Sequence, residues 1–308
     1  MSVSVGKKRR SLSSLKRRDG IAGYLFILPS IIGFTIFIAY PLISSVYYSM
    51  TTWSGWNAPQ FVGLQNFVYM FTTDPSFWPS LEATGLYVLM SVPGGLILGL
   101  LLALLLNKKL PGIKILRTIY YLPVVLPSVA SLTLWDFIYN PQYGLANQLL
   151  HLLGLPPSQW LQGQSTALLS IVIIGFWGIG GTMIIFLAGL QSVPTELYEA
   201  AQVDGAGKLR SLWNVTLPMI TPILFLQLIT GIIGSFQAFN QAQVLTKGGP
   251  NFATDLFNYS LWNNAFNGQE FGYAEAQVWV LFVIIMFFTV FIFKFSNAFV
   301  YYEHDQGN

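Results

Sequence analysis

The sequence predicts an all-α polytopic membrane protein with about six transmembrane helices. Of its 308 residues, 54% are hydrophobic and only 9% are charged, and the mean hydropathy is +0.57. Such a composition does not fit a soluble domain. Six apolar stretches have the length of about 20 residues that a helix needs to cross a bilayer. None of them alternates apolar and polar residues as the strand of a membrane barrel does.

The six predicted spans are joined by polar loops. Backbone groups inside lipid must find their hydrogen-bond partners within the chain, so each span is expected to be helical. In chain order the spans cover approximately residues 20–48, 81–106, 119–139, 167–190, 217–240 and 277–300. We treat residues 1–19 as a basic tail and residues 20–308 as one transmembrane domain of six helices.

The lysines and arginines predict which side of the membrane each loop faces. If the N-terminus is cytoplasmic, every one of the 15 basic residues except Lys247 falls on the cytoplasmic side. This imbalance follows the positive-inside rule and places both termini in the cytoplasm. The basic tail is therefore expected to report topology and contact with anionic membrane lipid, and no nucleic-acid partner is predicted.

Residue types that carry catalysis or bind metals are scarce. The chain has no cysteine and two histidines, His151 and His304, which lie at no metal-ligand spacing. It also lacks the GxxxxGK[ST] pattern that cradles ATP phosphates. We predict no catalytic residue, no metal site and no cofactor in this chain, which is therefore not expected to be an enzyme. Glu82 and Asp136 lie near span ends and are expected to be solvated or locally paired, not parts of a proton relay.

Residues 192–218, between spans 4 and 5, contain the most polar stretch of the chain, ELYEAAQVDGAGKLRSLWNVTLP. Pro194 suits the first turn of a helix, because the N–H that it lacks would be unpaired there. Gly205 and Gly207 are expected to end this helix. A second short helix is predicted over about residues 208–215. The segment is thus predicted to be a helix–turn–helix at the membrane surface, and an ordinary interfacial loop is the alternative.

The same stretch fits the pattern EAA, three residues, G, nine residues, an aliphatic residue, one residue, LP. The matching positions are Glu199-Ala200-Ala201, Gly205, Val215 and Leu217-Pro218. This resembles the cytoplasmic EAA loop of permease subunits of bacterial ABC importers. Four further segments are similar to segments of the carbohydrate importers in that family: FVGLQNF (61–67), YYLPVVLPSVASLTLWDFIYNPQYGLANQLL (120–150), FNQAQVLTKGGP (239–250) and FGYAEAQ (271–277).

The resemblance implies a type I importer permease fold in the bacterial cell membrane and a set of partners. These are a second homologous permease subunit, two cytoplasmic ATPase subunits that bind ATP and Mg, and an extracytoplasmic solute-binding protein. The chain would form half of the pathway for a sugar or oligosaccharide. The residues that the resemblance assigns to ATPase coupling are Glu199, Ala200, Ala201, Asp204, Gly205, Ala206, Leu217 and Pro218.

Polar side chains on one face of span 5 predict the lining of the solute pathway. Gln227, Gln237 and Gln241 follow helical spacing on a face that also carries glycines. Amides donate and accept hydrogen bonds, which suits sugar hydroxyls. We add Asn240, and Trp177 of span 4 as a residue that would stack on a sugar ring. Hydrogen bonding and close packing between helices is the alternative role of this face.

Three other functions remain as alternatives. No lysine or arginine lies in the interior of a span, which favours a neutral saccharide over the solute of a glycerol-3-phosphate-type importer. A partner subunit would be able to supply that missing cation. A stand-alone secondary carrier predicts buried charges or internal repeats, which the sequence does not show. A simple membrane anchor would leave the polar face of span 5 without a purpose.

Overall fold

The computed structural model describes residues 12–108 and 110–296, and their backbone is mainly helical. The first part of the basic tail, His304 and the predicted end of span 6 lie outside these residues. The helices are α1 (Leu12–Phe34), α2 (Tyr40–Tyr48), α3 (Gln65–Thr72), α4 (Phe77–Leu106), α5 (Ile113–Val125), α6 (Ser128–Ile138), α7 (Leu145–Leu152), α8 (Ala167–Trp177), α9 (Gly180–Ser192), α10 (Thr195–Val203), α11 (Lys208–Ser211), α12 (Leu217–Met219), α13 (Thr221–Phe236), α14 (Phe257–Trp262) and α15 (Phe271–Ser296).

Five short elements complete the described chain. Four π-helical turns cover Thr35–Ala39, Leu212–Thr216, Ala242–Thr246 and Asn263–Asn267, and one 3-10 turn covers Trp160–Gln162. In the first outer loop, β1 (Thr51–Thr52) pairs antiparallel with β2 (Gln60–Phe61), which sets Thr51 opposite Phe61.

Three helical segments are individually long and apolar enough to cross a membrane: Gly23–Tyr48, α4 and α15. Three more spans qualify only as bent pairs of helices. The bend is 98° between α5 and α6, 49° between α8 and α9, and 66° between Lys208–Met219 and α13. The structure thus supports the six predicted spans, but spans 3, 4 and 5 are broken.

Local sequence explains two of the breaks. Leu126 is extended, with φ −72° and ψ 144°, because a residue before proline avoids the α conformation and Pro127 follows. In span 5, Ile220 leaves the α region just before Pro222 in the first turn of α13, a position where its missing N–H costs nothing. Span 4 breaks after Trp177, at Gly178.

Several predicted boundaries differ from the structure: span 2 begins at Phe77 instead of residue 81, and span 3 begins at Ile113 instead of residue 119. Two further boundaries, in spans 6 and 5, also differ. Span 6 begins at Phe271 instead of residue 277, because Gly272 packs on the Thr51 carbonyl and its N–H donates to the Trp53 carbonyl at 3.1 Å. This places Glu275 inside the helix. Span 5 ends at Phe236 instead of residue 240. Both shifts depend on groups that are distant in sequence.

Helix α4 is the axis of the bundle, and it packs against α8, α9, α13 and α14. It contributes Phe77, Tyr87 and Ala103 to three successive hydrophobic clusters from its outer to its inner end. Close approach to α9 depends on Gly99, where a Cβ would lie 2.8 Å from Thr182 Cγ2. Gly99 thus permits the close packing of α4 on α9, whereas a Cβ on Gly95 would meet open space.

Next to the break in span 4, Gly180, the first residue of α9, packs against the backbone of α5. A Cβ on Gly180 would overlap the Tyr120 carbonyl and lie 2.8 Å from Tyr121 Cα, both of which are backbone groups of α5. The neighbouring Gly181 has room, since its Cβ would meet only Val124 Cγ1 at 4.0 Å.

We expect Gly180→Ala to destabilise the fold by about 1–3 kcal/mol, because two backbones would have to separate. A lower midpoint of thermal unfolding in detergent would measure this loss. Gly181→Ala is the matched control, with the same change one residue later and a near-normal midpoint. Equal midpoints for the two variants would contradict the proposed contact.

Candidate functional site

The loop between spans 4 and 5 adopts the predicted helix–turn–helix. Helix α10 begins at Thr195, directly after Pro194. It ends where Gly205 adopts φ +76°, and the N–H of Ala206 donates to the Ala201 carbonyl at 2.8 Å. A bond that closes across a left-handed residue is a common helix ending. Helix α11 follows after Gly207.

Helix α10 has no buried residue. Glu199, Ala200 and Asp204 are exposed, and Ala201 and Ala206 are half-buried. The exposed, acidic surface of α10 is therefore open to a partner.

One side chain of α10 connects this helix to the membrane domain. Tyr198 is half-buried, and its hydroxyl lies 3.1 Å from Thr216 Oγ1. Its ring packs against the inner hydrophobic cluster, which includes Leu190 and Ile220. Sequence analysis did not single out Tyr198, although an aromatic residue on an otherwise polar helix was a usable signal.

Leu217 and Pro218 occupy a different environment from the rest of the predicted coupling set. Both are half-buried in α12, and Leu217 packs against the same inner cluster as Tyr198. The predicted set therefore divides into an exposed part on and just after α10 and a packed part at the root of α13.

A polar cavity of about 310 Å³ lies at the outer ends of spans 3 and 5, and Asp136 lines it. Glu82 and Asp136 are both exposed, in line with the expectation that they are solvated. Glu275 is a different case, because it lies inside α15 and accepts a hydrogen bond from Ser45 Oγ. Ser45 in turn accepts from Trp279 Nε1 at 3.2 Å, so this carboxylate links the first and last spans.

A second polar cavity, of about 280 Å³, lies within the membrane bundle between α4, α9 and α13. Ser91 Oγ and Ser235 Oγ lie 3.1 Å apart in its wall. Of the predicted pathway residues, Gln227 lines this cavity. Its polar and small lining residues are Ser91, Gly95, Thr182, Gln227, Thr230, Gly231 and Ser235. The hydroxyl residues on α4 and α9 were missed, because single Ser and Thr residues are common in apolar helices.

Gln237 and Gln241 do not continue the helical face of Gln227, so the helical spacing predicted for these two residues is wrong. Helix α13 ends at Phe236, and the Gln237 carbonyl accepts a bond of 2.9 Å from Asn258 Nδ2. The side-chain amide of Asn258, in α14, thus replaces the helical N–H partner of the Gln237 carbonyl. Gln237 and Asn240 are exposed, and Gln241 is half-buried.

Trp177 ends α8 at the break of span 4 and is half-buried. Its ring makes an edge contact with Trp135, with centroids 5.8 Å apart. Trp135 Nε1 and Ser131 Oγ, one turn apart on α6, are buried and lack hydrogen-bond partners. Unpaired buried polar atoms are rare in native proteins and are open to a ligand or water.

A buried carboxylate lies in the loop just before α14. Asp255 is only 6% exposed, and this burial, together with the charge of Asp74, raises its pKa to about 7. Asp74 itself accepts hydrogen bonds from the Tyr273 hydroxyl and from the Ser76 N–H, the latter at 2.8 Å. Among the residues that the structure describes, no cluster of three or more His, Asp or Glu side chains forms a potential metal site.

Comparisons with known proteins match nearly the whole chain. Residues 95–302 match the model of the family described as binding-protein-dependent transport system inner membrane component. The chain is 40% identical over 304 residues to the probable ABC transporter permease protein YesP of Bacillus subtilis (strain 168), with 97% of each protein covered. It is 35% identical over 284 residues to the trehalose/maltose transport system permease protein MalF of Thermococcus litoralis, covering 92% of this chain and 96% of that protein.

A solved structure has the same fold. A chain of a bacterial alginate ABC transporter, crystallised with an alginate pentasaccharide-bound periplasmic protein, superposes with a TM-score of 0.82 at 25% identity. The match covers 94% of this chain and 98% of the other.

The raised pKa of Asp255 predicts how stability depends on pH. The folded chain holds this proton up to about pH 7, whereas the pKa of a freely solvated aspartic acid is 3.8. The folded state therefore binds more protons between these values, and the free energy of unfolding falls as pH rises through that interval. We expect Asp255→Asn to flatten the decline of the unfolding midpoint between about pH 4 and pH 7. Asp136→Asn removes an exposed carboxylate and should keep the wild-type profile; an unchanged slope in Asp255→Asn would contradict the assignment.

Proposed function

The chain belongs to the family of binding-protein-dependent transport system inner membrane components, and we propose that it forms half of the translocation pathway of an ATP-driven importer for a sugar or oligosaccharide. Members of this family are membrane components of transporters, not enzymes. We assign ATP and Mg binding to two cytoplasmic ATPase subunits. A second homologous permease subunit would complete the pathway, and an extracytoplasmic protein would deliver the solute.

The observation that carries this proposal is the exposed α10 segment with its EAA pattern, inside the region that matches the family. We assign α10 to a groove on one ATPase subunit. Glu199 would pair with a basic residue there, and Ala200 and Ala201 would contact an apolar wall. Asp204, Gly205 and Ala206 form the turn that ends this docking helix.

Movement of α10 would reach the membrane helices by rigid-body motion. Tyr198 and Leu217 both contact the inner cluster that contains Ile220, at the root of α13. Because Ile220, at the break in span 5, is buried in this cluster, an ATPase that shifts α10 would change the angle between α12 and α13.

The cavity between α4, α9 and α13 is the proposed solute contact. Its hydroxyl groups and the Gln227 amide both donate and accept hydrogen bonds, as sugar hydroxyls require. No lysine or arginine is among the lining residues of this cavity in the described chain. A phosphate or carboxylate would normally be met by a cation, so these residues favour a neutral saccharide.

The outer part of the pathway is assigned to the exposed amides and to the broken spans. Gln237, Asn240 and Gln241 follow the end of α13, where an arriving solute would meet them. Trp177 would offer an aromatic face for a sugar ring. The unpaired Ser131 and Trp135 groups would gain partners from sugar hydroxyls or from water.

The orientation follows the basic residues. We place α10 and both termini in the cytoplasm, and the loops that contain Trp53 and Asp255 and the Asp136 end of α6 outside. The protein is a multi-pass inner-membrane protein.

Reconstitution tests the proposed function as a whole. The chain would be co-expressed with its candidate permease, ATPase and binding proteins, and the complex would be placed in proteoliposomes. Neutral saccharides would then be compared with glycerol 3-phosphate for stimulation of ATP hydrolysis. We expect stimulation by a saccharide that the binding protein carries. Failure of the chain to assemble with an ATPase would overturn the proposal.

The turn after α10 provides a test of coupling. Gly205 has a positive φ, so a side chain there would strain the turn although no neighbour lies within 4 Å. We expect Gly205→Leu to reduce transport at least tenfold while leaving insertion and abundance unchanged. Gly207→Leu is the control, since Gly207 has φ −71° and equally open space. Unimpaired transport by Gly205→Leu at normal abundance would exclude the coupling role.

The cavity provides a test of solute contact. We expect Gln227→Leu to raise the solute concentration for half-maximal transport roughly tenfold, as for one lost hydrogen bond of about 1.4 kcal/mol. ATP hydrolysis without solute should be unchanged. Leu226→Ala, on the exposed side of the same helix, should leave both values near wild type. Equal effects of these two substitutions would argue against a specific contact.

A further inference from the structure

The second half of the loop between spans 4 and 5, Lys208–Met219, lies at a large angle to the membrane helix that follows it. It is bent by 66° from α13, which crosses the membrane. A segment at this angle to a spanning helix runs closer to the plane of the membrane surface than to its normal. Because the segment is joined directly to α13, which carries the apolar part of span 5, we place the segment at the depth of the lipid headgroups.

Burial divides this segment into two faces. Ser211, Leu212 and Val215 are half-buried, and Thr216 is buried. On the opposite face Leu209 is 69% exposed and Trp213 is 64% exposed. The π-helical turn Leu212–Thr216 allows this division, because its wider turn brings Thr216 to the packed face.

The exposed face also carries positive charge. Lys208 and Arg210 are exposed, and neither forms an ion pair with another residue of the described chain. Before Gly205, by contrast, the exposed charges are negative: Glu199 and Asp204 lie there with Glu196. The two halves of the loop thus present opposite charges on either side of one glycine turn.

We propose that the exposed face of Lys208–Trp213 is a lipid-binding surface that anchors the loop to the adjacent membrane leaflet. Leu209 and Trp213 insert at the interface, and Lys208 and Arg210 bind the headgroups of anionic lipids. A leucine and a tryptophan beside two cations fit this boundary, because one part of the surface is apolar and the other is charged. The acidic α10 half does not fit an anionic surface and remains available to a protein.

This surface requires only that the chain spans a membrane; that its leaflet is the cytoplasmic one rests on the orientation proposed above. It does not require an ATPase. A negative result for lipid binding would therefore leave the reconstitution result unaffected. Failure of the chain to assemble with an ATPase would likewise leave the lipid-binding result unaffected.

The absence of cysteine from the chain makes a depth measurement direct. Single variants Leu209→Cys and Trp213→Cys would be labelled with a nitroxide in full-length protein, in nanodiscs of phosphatidylcholine and phosphatidylglycerol. Collision with oxygen, which concentrates in lipid, would be compared with collision with a water-soluble nickel chelate. Val203→Cys is the control, because Val203 is 89% exposed on the other side of the glycine turn.

We expect both the 209 and 213 labels to favour oxygen and the 203 label to favour the nickel chelate. Labels at 209 and 213 that are as accessible to nickel as the 203 label would overturn the proposal. Shielding of these labels only after an ATPase is added would also overturn it, because the surface would then belong to the protein partner.

The role of charge is tested with the same label at position 209. Replacing phosphatidylglycerol by phosphatidylcholine, or introducing Lys208→Gln with Arg210→Gln, should raise nickel accessibility at least twofold. Lys294→Gln, which removes an exposed cation at the end of α15, should leave the label unchanged. An equal response of the label to the Lys208→Gln/Arg210→Gln double variant and to Lys294→Gln would exclude specific headgroup binding by Lys208 and Arg210. The absence of any response to lipid charge would exclude it as well.

Discussion

The structure depends on one constraint: backbone polar groups inside a bilayer must be satisfied within the chain. A spanning helix can break only where other parts of the protein take up the freed groups or line a wet cavity. The chain breaks three of its spans, and packed residues lie beside two of the breaks. Gly180, next to the break in span 4, lies against the α5 backbone, and Ile220, at the break in span 5, is buried in the inner cluster.

The breaks in the membrane spans also explain where polar side chains are found in this largely apolar protein. Trp177 lies at the break of span 4, next to the unpaired indole N–H of Trp135. The cavity that contains Gln227 and the Ser91–Ser235 pair lies beside α4, where helices approach through small residues. Continuous helices would pack such groups against one another, whereas bent pairs leave room between them.

The two halves of the loop between spans 4 and 5 carry opposite charges on their exposed surfaces. The acidic face of α10 and the basic face of α11 are joined by Gly205, whose left-handed conformation turns the chain between them. The resulting loop has one half suited to a protein groove and one half suited to anionic lipid. In the loop before α14, burial changes the protonation of a single group. Asp255 is shielded from water near Asp74 and holds its proton up to about neutral pH.

Sequence by itself determined the class of protein, the number and order of spans, and the helix–turn–helix with its glycine turn. These features are local. Hydropathy, the positions of proline and glycine, and a long motif can each be identified within a short stretch of the chain. Tertiary structure decided the bend angles, the early start of α15 that takes Glu275 into the helix, the end of α13 at Phe236, and the division of the coupling set between α10 and α12. Each of these depends on contacts between residues far apart in sequence, such as Gly272 with Thr51 or Asn258 with Gln237, and the energy of such a contact is not encoded in any short stretch of residues.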